Sequence, residues 1–340
     1  MVDLRSDTIT LPSKEMKEAM MSAPLGDDVF GDDPSVRSLE DYACRLFGME
    51  AALFCPSGTM TNQIGVRVHT QPGDEIICHQ TAHVYNYEGG GMSANSGVSA
   101  WLLPGDRGVF SVDHIAEAYH NPEDPHYPLS RLVVIENTSN KGGGSIWPMD
   151  NILEIQQLCH KLGLSLHLDG ARLFNALVER GEDPKDFGQI VVSVSICLSK
   201  GLGAPVGSLL LGEKAFIAKA RRIRKMFGGG MRQAGIIAAA GEFALKNNIQ
   251  RLKEDHRRAK SIEKELKVAG WVQNVLPVDT NIIIAEVPVD IIAERVVEKF
   301  QEQGILIVPF SKHTFRIVTH MDVDDDMISK TIDAIRKISF

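Results

Sequence analysis

The stretch Val191-Val192-Ser193-Val194-Ser195-Ile196-Cys197-Leu198-Ser199-Lys200-Gly201-Leu202-Gly203-Ala204-Pro205-Val206-Gly207 decides how the rest of the chain is read. Its first eight residues are apolar or small, as in a strand buried on both faces of a parallel sheet. Such a strand should close on small or apolar residues, because a buried ammonium is costly unless it is paired or deprotonated. Here it closes on Lys200. An amine held partly out of water is suited to attack a carbonyl. A strand-end lysine also reaches water along its flexible stem, so the residue alone leaves both readings open.

Seven apolar runs of strand length, at 51–56, 75–79, 98–103, 132–136, 165–169, 191–198 and 208–211, alternate with helical segments at 61–70, 85–95, 112–119, 151–162 and 171–180. The alternation predicts an α/β domain with a mostly parallel, seven-stranded sheet flanked by helices. Ligands of such sheets bind beyond the carboxyl ends of the strands, so the residues that close each run deserve inspection. After Gly212 the character changes. A basic amphipathic helix over 213–226 is followed by Gly228-Gly229-Gly230, a small-residue helix over 231–245 and a long charged helix over 249–269. The tail reads as strand 281–286, helix 290–303, strands 305–309 and 314–319, and helix 324–338. The expected division is a large domain over 1–249, including the N-terminal segment, and a smaller α+β domain over 250–340.

Composition narrows the partners. With 36 basic against 44 acidic residues the net charge is −8, which argues against nucleic acid and leaves no polybasic membrane anchor. No apolar stretch approaches the roughly 20 residues that a bilayer requires, and the opening residues lack the order of a signal peptide. The cysteines Cys44, Cys55, Cys78, Cys159 and Cys197 form no C-x-x-C pair. They read as reduced thiols of a cytoplasmic protein.

Three further motifs bear on the strand ends. Leu166-His167-Leu168-Asp169-Gly170-Ala171-Arg172 places a carboxylate at the end of a buried run, one strand-helix-strand unit before Lys200. Asp169 and Lys200 are either an ion pair or the two groups that pyridoxal phosphate requires, a lysine for its aldehyde and an aspartate for its ring nitrogen. Pro56-Ser57-Gly58-Thr59 follows a strand and opens a helix, as in an ordinary N-cap or a phosphate cradle. Neither G-x-G-x-x-G nor G-x-x-x-x-G-K-[ST] is complete, which disfavours dinucleotides and nucleoside triphosphates. His83 suits stacking on a planar ring, or is simply structural. Its spacing from His79 has no third ligand or H-E-x-x-H context, so no metal site is expected. Arg316, a charge inside a β pattern, is an edge residue or a fork for a carboxylate.

With these motifs in order, the chain resembles the L-threonine aldolases, a branch of the fold-type I pyridoxal phosphate enzymes grouped with the β-eliminating lyases. The resemblance also rests on Asp3-Leu4-Arg5-Ser6-Asp7-Thr8, Gly26-Asp27-Asp28-Val29-Phe30-Gly31-Asp32-Asp33-Pro34 and Gly228-Gly229-Gly230-Met231-Arg232-Gln233-Ala234-Gly235. It implies an aspartate aminotransferase-like fold and retro-aldol cleavage of a β-hydroxy-α-amino acid to glycine and an aldehyde. It assigns Lys200 to the aldehyde of pyridoxal 5'-phosphate, Asp169 to the ring nitrogen and His83 to the ring face. Gly58 and Thr59 fall to the phosphate, which Arg232 reaches from a neighbouring subunit, implying a homo-oligomer, in this family a dimer of dimers. Ser6, Arg172 and Arg316 match the contacts to the substrate carboxylate, and His126 matches a histidine near the β-hydroxyl. Phe30 and Asn86 depart from a common tyrosine and a common aromatic of the substrate entrance. The same scaffold also supports β-elimination, amino transfer, or cofactor binding without catalysis.

Overall fold

The computed structural model describes every residue from Met1 to Phe340. Its centre is a seven-stranded sheet built from β1 (Ala51–Cys55), β2 (Glu75–His79), β3 (Ser99–Leu103), β4 (Ser130–Glu136), β5 (Ser165–Gly170), β6 (Ser193–Cys197) and β7 (Ser208–Gly212). The spatial order is β1-β7-β6-β5-β4-β2-β3. Strands β2 to β6 form one parallel block, whereas β7 runs antiparallel to both β1 and β6. Every residue of β2, β6 and β7 is buried, which explains why their central residues are apolar or small. The main core, with Phe47, Phe54, Trp147 and Phe187 all fully enclosed, lies between this sheet and its helices. Each such side chain contributes about 1.5–3 kcal/mol by leaving water.

Two departures from the expected helices shape the site. The helix expected over 61–70 is α1 (Gly58–His69) and starts earlier, because Ser57 caps it by accepting from the Met60 amide at 3.2 Å. The single helix expected over 85–95 is broken into one turn at His83–Asn86 and a π-helical turn at Met92–Ser96. Between them Gly89 and Gly90 adopt φ of 63° and 72°, a left-handed path that no helix continues. This break leaves the neighbouring Glu88 buried. Helices at Lys14–Met21, Pro34–Phe47 and Pro184–Ile190 add to those read from the sequence.

The C-terminal part carries a second antiparallel sheet of β8 (Asn274–Val275), β9 (Ile282–Glu286), β10 (Val308–Ser311) and β11 (Thr314–Val318), in the order β10-β11-β9-β8. The strand expected over 305–309 divides in two. Ile305–Leu306 pairs in parallel with Val2–Asp3, and only the part after it joins the small sheet. Val2 and Leu4 therefore pack into the second core with Phe300, Phe315 and Ile317. That contact lays the opening of the chain between the two cores and brings Ser6 and Asp7 to the sheet. No helix is long and apolar enough to cross a membrane.

Candidate active site

Strands β5 and β6 pair with Asp169 opposite Ser195, so their carboxyl ends emerge side by side. Asp169 is buried, with Oδ1 accepting from the Ala171 amide at 3.1 Å and Oδ2 from Asn62 Nδ2 at 2.8 Å. Lys200, in the turn beyond β6, is half-buried rather than enclosed. Its carbonyl accepts from Thr10 Oγ1 at 2.9 Å and from the Gly203 amide at 2.8 Å, which fixes the backbone from which the side chain extends. That amine stands near enough to act electrostatically on both Asp7 and His83.

His83 opens the short turn after β2. Its amide donates to Glu136 Oε2 at 2.9 Å, and its Nδ1 meets Glu88 Oε1 at 3.0 Å. A carboxylate only accepts, so the proton on this side of the ring sits on Nδ1, and Nε2 is the nitrogen not committed to Glu88. Donor atoms of His83, Glu88 and Asp169 all lie within 4.8 Å of one another. Burial pulls the His83 pKa down, but the hydrogen bond to Glu88 and the charge of Asp169 outweigh it, and the net direction is upward. Glu136 closes β4 opposite Asp169 in register. Burial, reinforced by the Asp169 charge, pushes its carboxyl up to about 7, against the amides of Asn140 and His83 that favour its charged form.

The other side of the site is cationic. Arg172 is buried and forks onto Asp7, with Nε and Nη2 donating to the two carboxylate oxygens at 2.8 and 2.7 Å. Burial alone would raise the Asp7 pKa; Arg172 and, beyond it, Lys200 bring it down to about 2. This pairing occupies one edge of the Arg172 fork and leaves the Nη1 edge open. Arg316, on β11, donates through Nη1 to Asn140 Oδ1 at 2.9 Å and through Nη2 to the Arg5 carbonyl at 3.1 Å. Its Nε is buried without a hydrogen-bond partner. Ser6 sits beside this pair and caps the turn Asp7–Ile9 by accepting from the Thr8 amide.

At the start of α1, Ser57 and Thr59 are exposed around Gly58. A Cβ on Gly58 would lie 2.5 Å from Cys197 Sγ, so only glycine lets the helix start close on the end of β6. The free amides of that first turn and the positive end of the helix dipole suit a phosphate. Two sequence candidates stand apart from the cluster. Arg232 is exposed and pairs with Asp27 at 2.9 Å, next to the loop that carries the exposed Phe30. His126 lies on a surface loop with Nδ1 against Asp124 Oδ1 at 2.7 Å, its side chain 84% exposed. Asn86 donates to the carbonyls of Gln80 and Ala82 rather than facing the cluster as an aromatic would.

Sequence reasoning passed over Asp7, Asn62, Glu88, Glu136 and Asn140. Glu136 carried a signal, since it closes an apolar run as Asp169 does. Asn62 and Asp7 lay inside motifs already singled out, but nothing in the sequence distinguished them there. Glu88 became visible only with the broken helix. Together the residues fit a pyridoxal phosphate site: a half-buried lysine beyond a strand end, a buried carboxylate at the next strand end, a helix start open to an anion, and a buried guanidinium nitrogen in want of an acceptor.

Residues 3–289 match the beta-eliminating lyase family, whose enzymes depend on pyridoxal phosphate. The low specificity L-threonine aldolase of Escherichia coli K12 is 43% identical over 97% of both chains. A low-specificity L-threonine aldolase of Arabidopsis thaliana is 39% identical over 99% of this chain and 96% of its own. Among solved structures, a Leishmania major threonine aldolase superposes with a TM-score of 0.86 over 99% of each chain at 20% identity, a likeness of fold. The same fold recurs in a Sphingomonas wittichii serine palmitoyltransferase, with a TM-score of 0.76 over 98% of this chain and 86% of that one, at 16% identity. Strand ends, sequence and fold lead to one assignment: the chain belongs to the beta-eliminating lyase family, alongside its low-specificity L-threonine aldolases.

Proposed function

We propose that this chain is a pyridoxal 5'-phosphate-dependent lyase that cleaves L-threonine, L-allo-threonine and related β-hydroxy-α-amino acids reversibly to glycine and an aldehyde. The observation that carries the reading is the placing of Lys200 and Asp169 at adjacent strand ends with two arginines across from them. When bound, the cofactor conjugates the substrate amine to its ring and accepts the electron pair released at Cα.

The chain's own residues supply position and proton handling. Lys200 would hold the cofactor through its amine. Asp169 meets the ring nitrogen, His83 covers the ring, and Gly58 and Thr59 hold the phosphate with the amides of α1. Ser6, the open edge of Arg172 and the free Nε of Arg316 receive the substrate carboxylate. Pinning that group would fix which bond at Cα is presented for cleavage, and orientation of this kind decides which bond breaks. A histidine takes the β-hydroxyl proton. For His83 the accepting atom is Nε2, since Nδ1 is committed to Glu88. His126 is the other candidate, acting from its exposed loop.

Assembly completes the site in this reading. The exposed Arg232 and Phe30 fit a partner subunit whose phosphate Arg232 reaches, in a dimer that pairs into a tetramer. The five free cysteines suit a cytoplasmic enzyme of threonine breakdown and glycine formation. We take residues 1–249 as the cofactor-binding domain and 250–340 as the smaller domain that brings Arg316.

Product analysis tests the reaction. L-threonine should yield glycine and acetaldehyde; equal turnover of serine to pyruvate, or amino transfer to an oxo acid, would overturn the aldolase reading. Mixing Arg232→Ala with Lys200→Ala chains should restore activity through hybrid dimers that keep one intact site. No recovery would place each site within a single chain.

A further inference from the structure

Behind Asp169 a line of buried polar side chains crosses the sheet, and its hydrogen positions follow from valence alone. Asn62 Nδ2 lies 2.8 Å from Asp169 Oδ2 and 2.8 Å from Glu88 Oε1. Carboxylate oxygens accept, so both amide hydrogens of Asn62 are spent on these two groups and its Oδ1 must accept. The partner of Oδ1 is His167 Nε2 at 3.3 Å, which therefore carries a hydrogen. On a neutral ring this leaves Nδ1 bare, and Nδ1 accepts from Ser193 Oγ at 2.8 Å. Having donated, Ser193 Oγ accepts from His69 Nε2 at 2.8 Å. With both rings neutral, this pattern satisfies every side-chain member of the line. Burial holds both imidazoles neutral, with the His167 pKa down at about 4 and that of His69 at about 3, as this pattern demands.

The chain is packed as well as bonded. Asn62, His167 and Ser193 are all buried, and a Cβ on Gly65 would lie 3.0 Å from the His167 ring, so α1 closes over the imidazole because residue 65 lacks a side chain. At its far end His69 stacks on Phe216 with centroids 4.7 Å apart. All donors point toward Asp169. A chain of aligned hydrogen bonds in a low-dielectric interior strengthens its last member.

We propose that Asn62 and His167 are positioning residues of the cofactor site: the Asn62 amide, held in one orientation by His167, clamps the Asp169 and Glu88 carboxylates at a fixed separation. Asp169 and, through Glu88, His83 are the two groups that meet the ring, so the clamp sets the geometry of both at once. This inference rests on the reading of Asp169 as the partner of the ring nitrogen.

The test uses the full-length holoenzyme with Asn62→Ala and Asn62→Asp, the second being of the same size as the native residue. Both should raise the cofactor dissociation constant on the order of 10- to 100-fold, the range that outer partners of binding groups command. Both should lower kcat more than they raise KM, and move the 15N signal of labelled cofactor ring nitrogen toward unprotonated pyridine. His167→Gln, which keeps a donor, should lose less than His167→Phe. Histidine 15N spectra of the wild type should show His167 protonated on Nε2 alone. A proton on Nδ1, or an Asn62→Ala holoenzyme with unchanged cofactor affinity and ring-nitrogen signal, overturns the clamp. A wild type that takes up no pyridoxal phosphate overturns the cofactor reading as well.

Discussion

On the Asp169 side of the site three carboxylates, Asp169, Glu88 and Glu136, crowd around the single imidazole of His83; on the Asp7 side two guanidiniums, Arg172 and Arg316, lie near one carboxylate, which only Arg172 pairs. The same strand ends thus build opposite electrostatics a few residues apart. Surplus acid makes the first side avid for protons, raising His83 and taking Glu136 up to about 7. Surplus base makes the second avid for anions: Asp7 falls to about 2, and burial beside Arg172 lowers even Arg316. Glu136 and Asn140 join the halves, since the Asn140 amide donates to Glu136 and its side chain accepts from Arg316. An amino acid is itself divided this way, with an ammonium and a carboxylate, so the charge difference alone orients it. The comparison also separates binding from proton transfer, which makes each half breakable without the other.

Removing Lys200 should do most damage. Lys200→Ala is expected to lower kcat by three orders of magnitude or more, on the order of losing a nucleophile, while leaving the fold intact because the residue is only half-buried. Cofactor bound by the variant in a form that borohydride still reduces onto the protein would sink the assignment. Asp7→Asn strikes the cationic side next. It leaves Arg172 buried beside a neutral group and should cost about 3–5 kcal/mol in denaturant unfolding, as when one partner of a buried pair is lost. The wild-type pair also has an acid signature. With its pKa lowered, Asp7 contributes fully above its ordinary value of 3.8, and that stability drains away as pH falls through about 2. Asp7→Asn should flatten this part of the acid-unfolding curve, and an unchanged curve would place the loss elsewhere. Arg316→Ala is milder. If Arg316 holds the substrate carboxylate as proposed, KM for threonine should rise roughly 10- to 100-fold, the loss of a charge-assisted hydrogen bond. A variant with unchanged KM and reduced kcat would move Arg316 out of the carboxylate clamp.

Each half of the site differed in how far it was legible in the sequence. The fold announced itself through β5, β6 and the other buried strands, because a strand enclosed on both faces must be apolar throughout and a parallel block needs intervening helices. Lys200 and Asp169 stood out for the same reason, as charges that close such strands. The antiparallel placing of β7 left no trace, since a buried run reads alike in either direction. Residues 85–95 read as one helix because apolar spacing is blind to the left-handed turn at Gly89 and Gly90. Partners reached across long sequence separation were equally hidden: Asp7 meets Arg172 only because Val2–Asp3 pairs with Ile305–Leu306 and carries the opening of the chain across the molecule. Sequence showed which groups end strands, and tertiary packing chose what they touch.

Glu88→Gln makes the smallest change and separates the halves most finely. It removes a charge from the acidic side without touching Arg172, Arg316 or Asp7. In the wild type, burial lowers the His83 pKa but Glu88 and Asp169 more than offset it, so the ring stays protonated to higher pH than a free imidazole. If neutral His83 accepts the β-hydroxyl proton, kcat/KM falls as pH drops through that raised pKa. Glu136, pushed up to about 7 chiefly by burial, also feels the His83 charge, so both groups contribute to the acid limb. Loss of the Glu88 charge should carry the limb to lower pH by up to about one unit, a shift equivalent to about 1.4 kcal/mol, while KM at the optimum stays near its original value. The sign is the discriminating part: a general weakening of the site would lower the whole profile, whereas this change should raise relative activity at acid pH. A limb that stays in place in Glu88→Gln would assign the titration to another group and take His83 out of the path of the proton, leaving His126 as the candidate base.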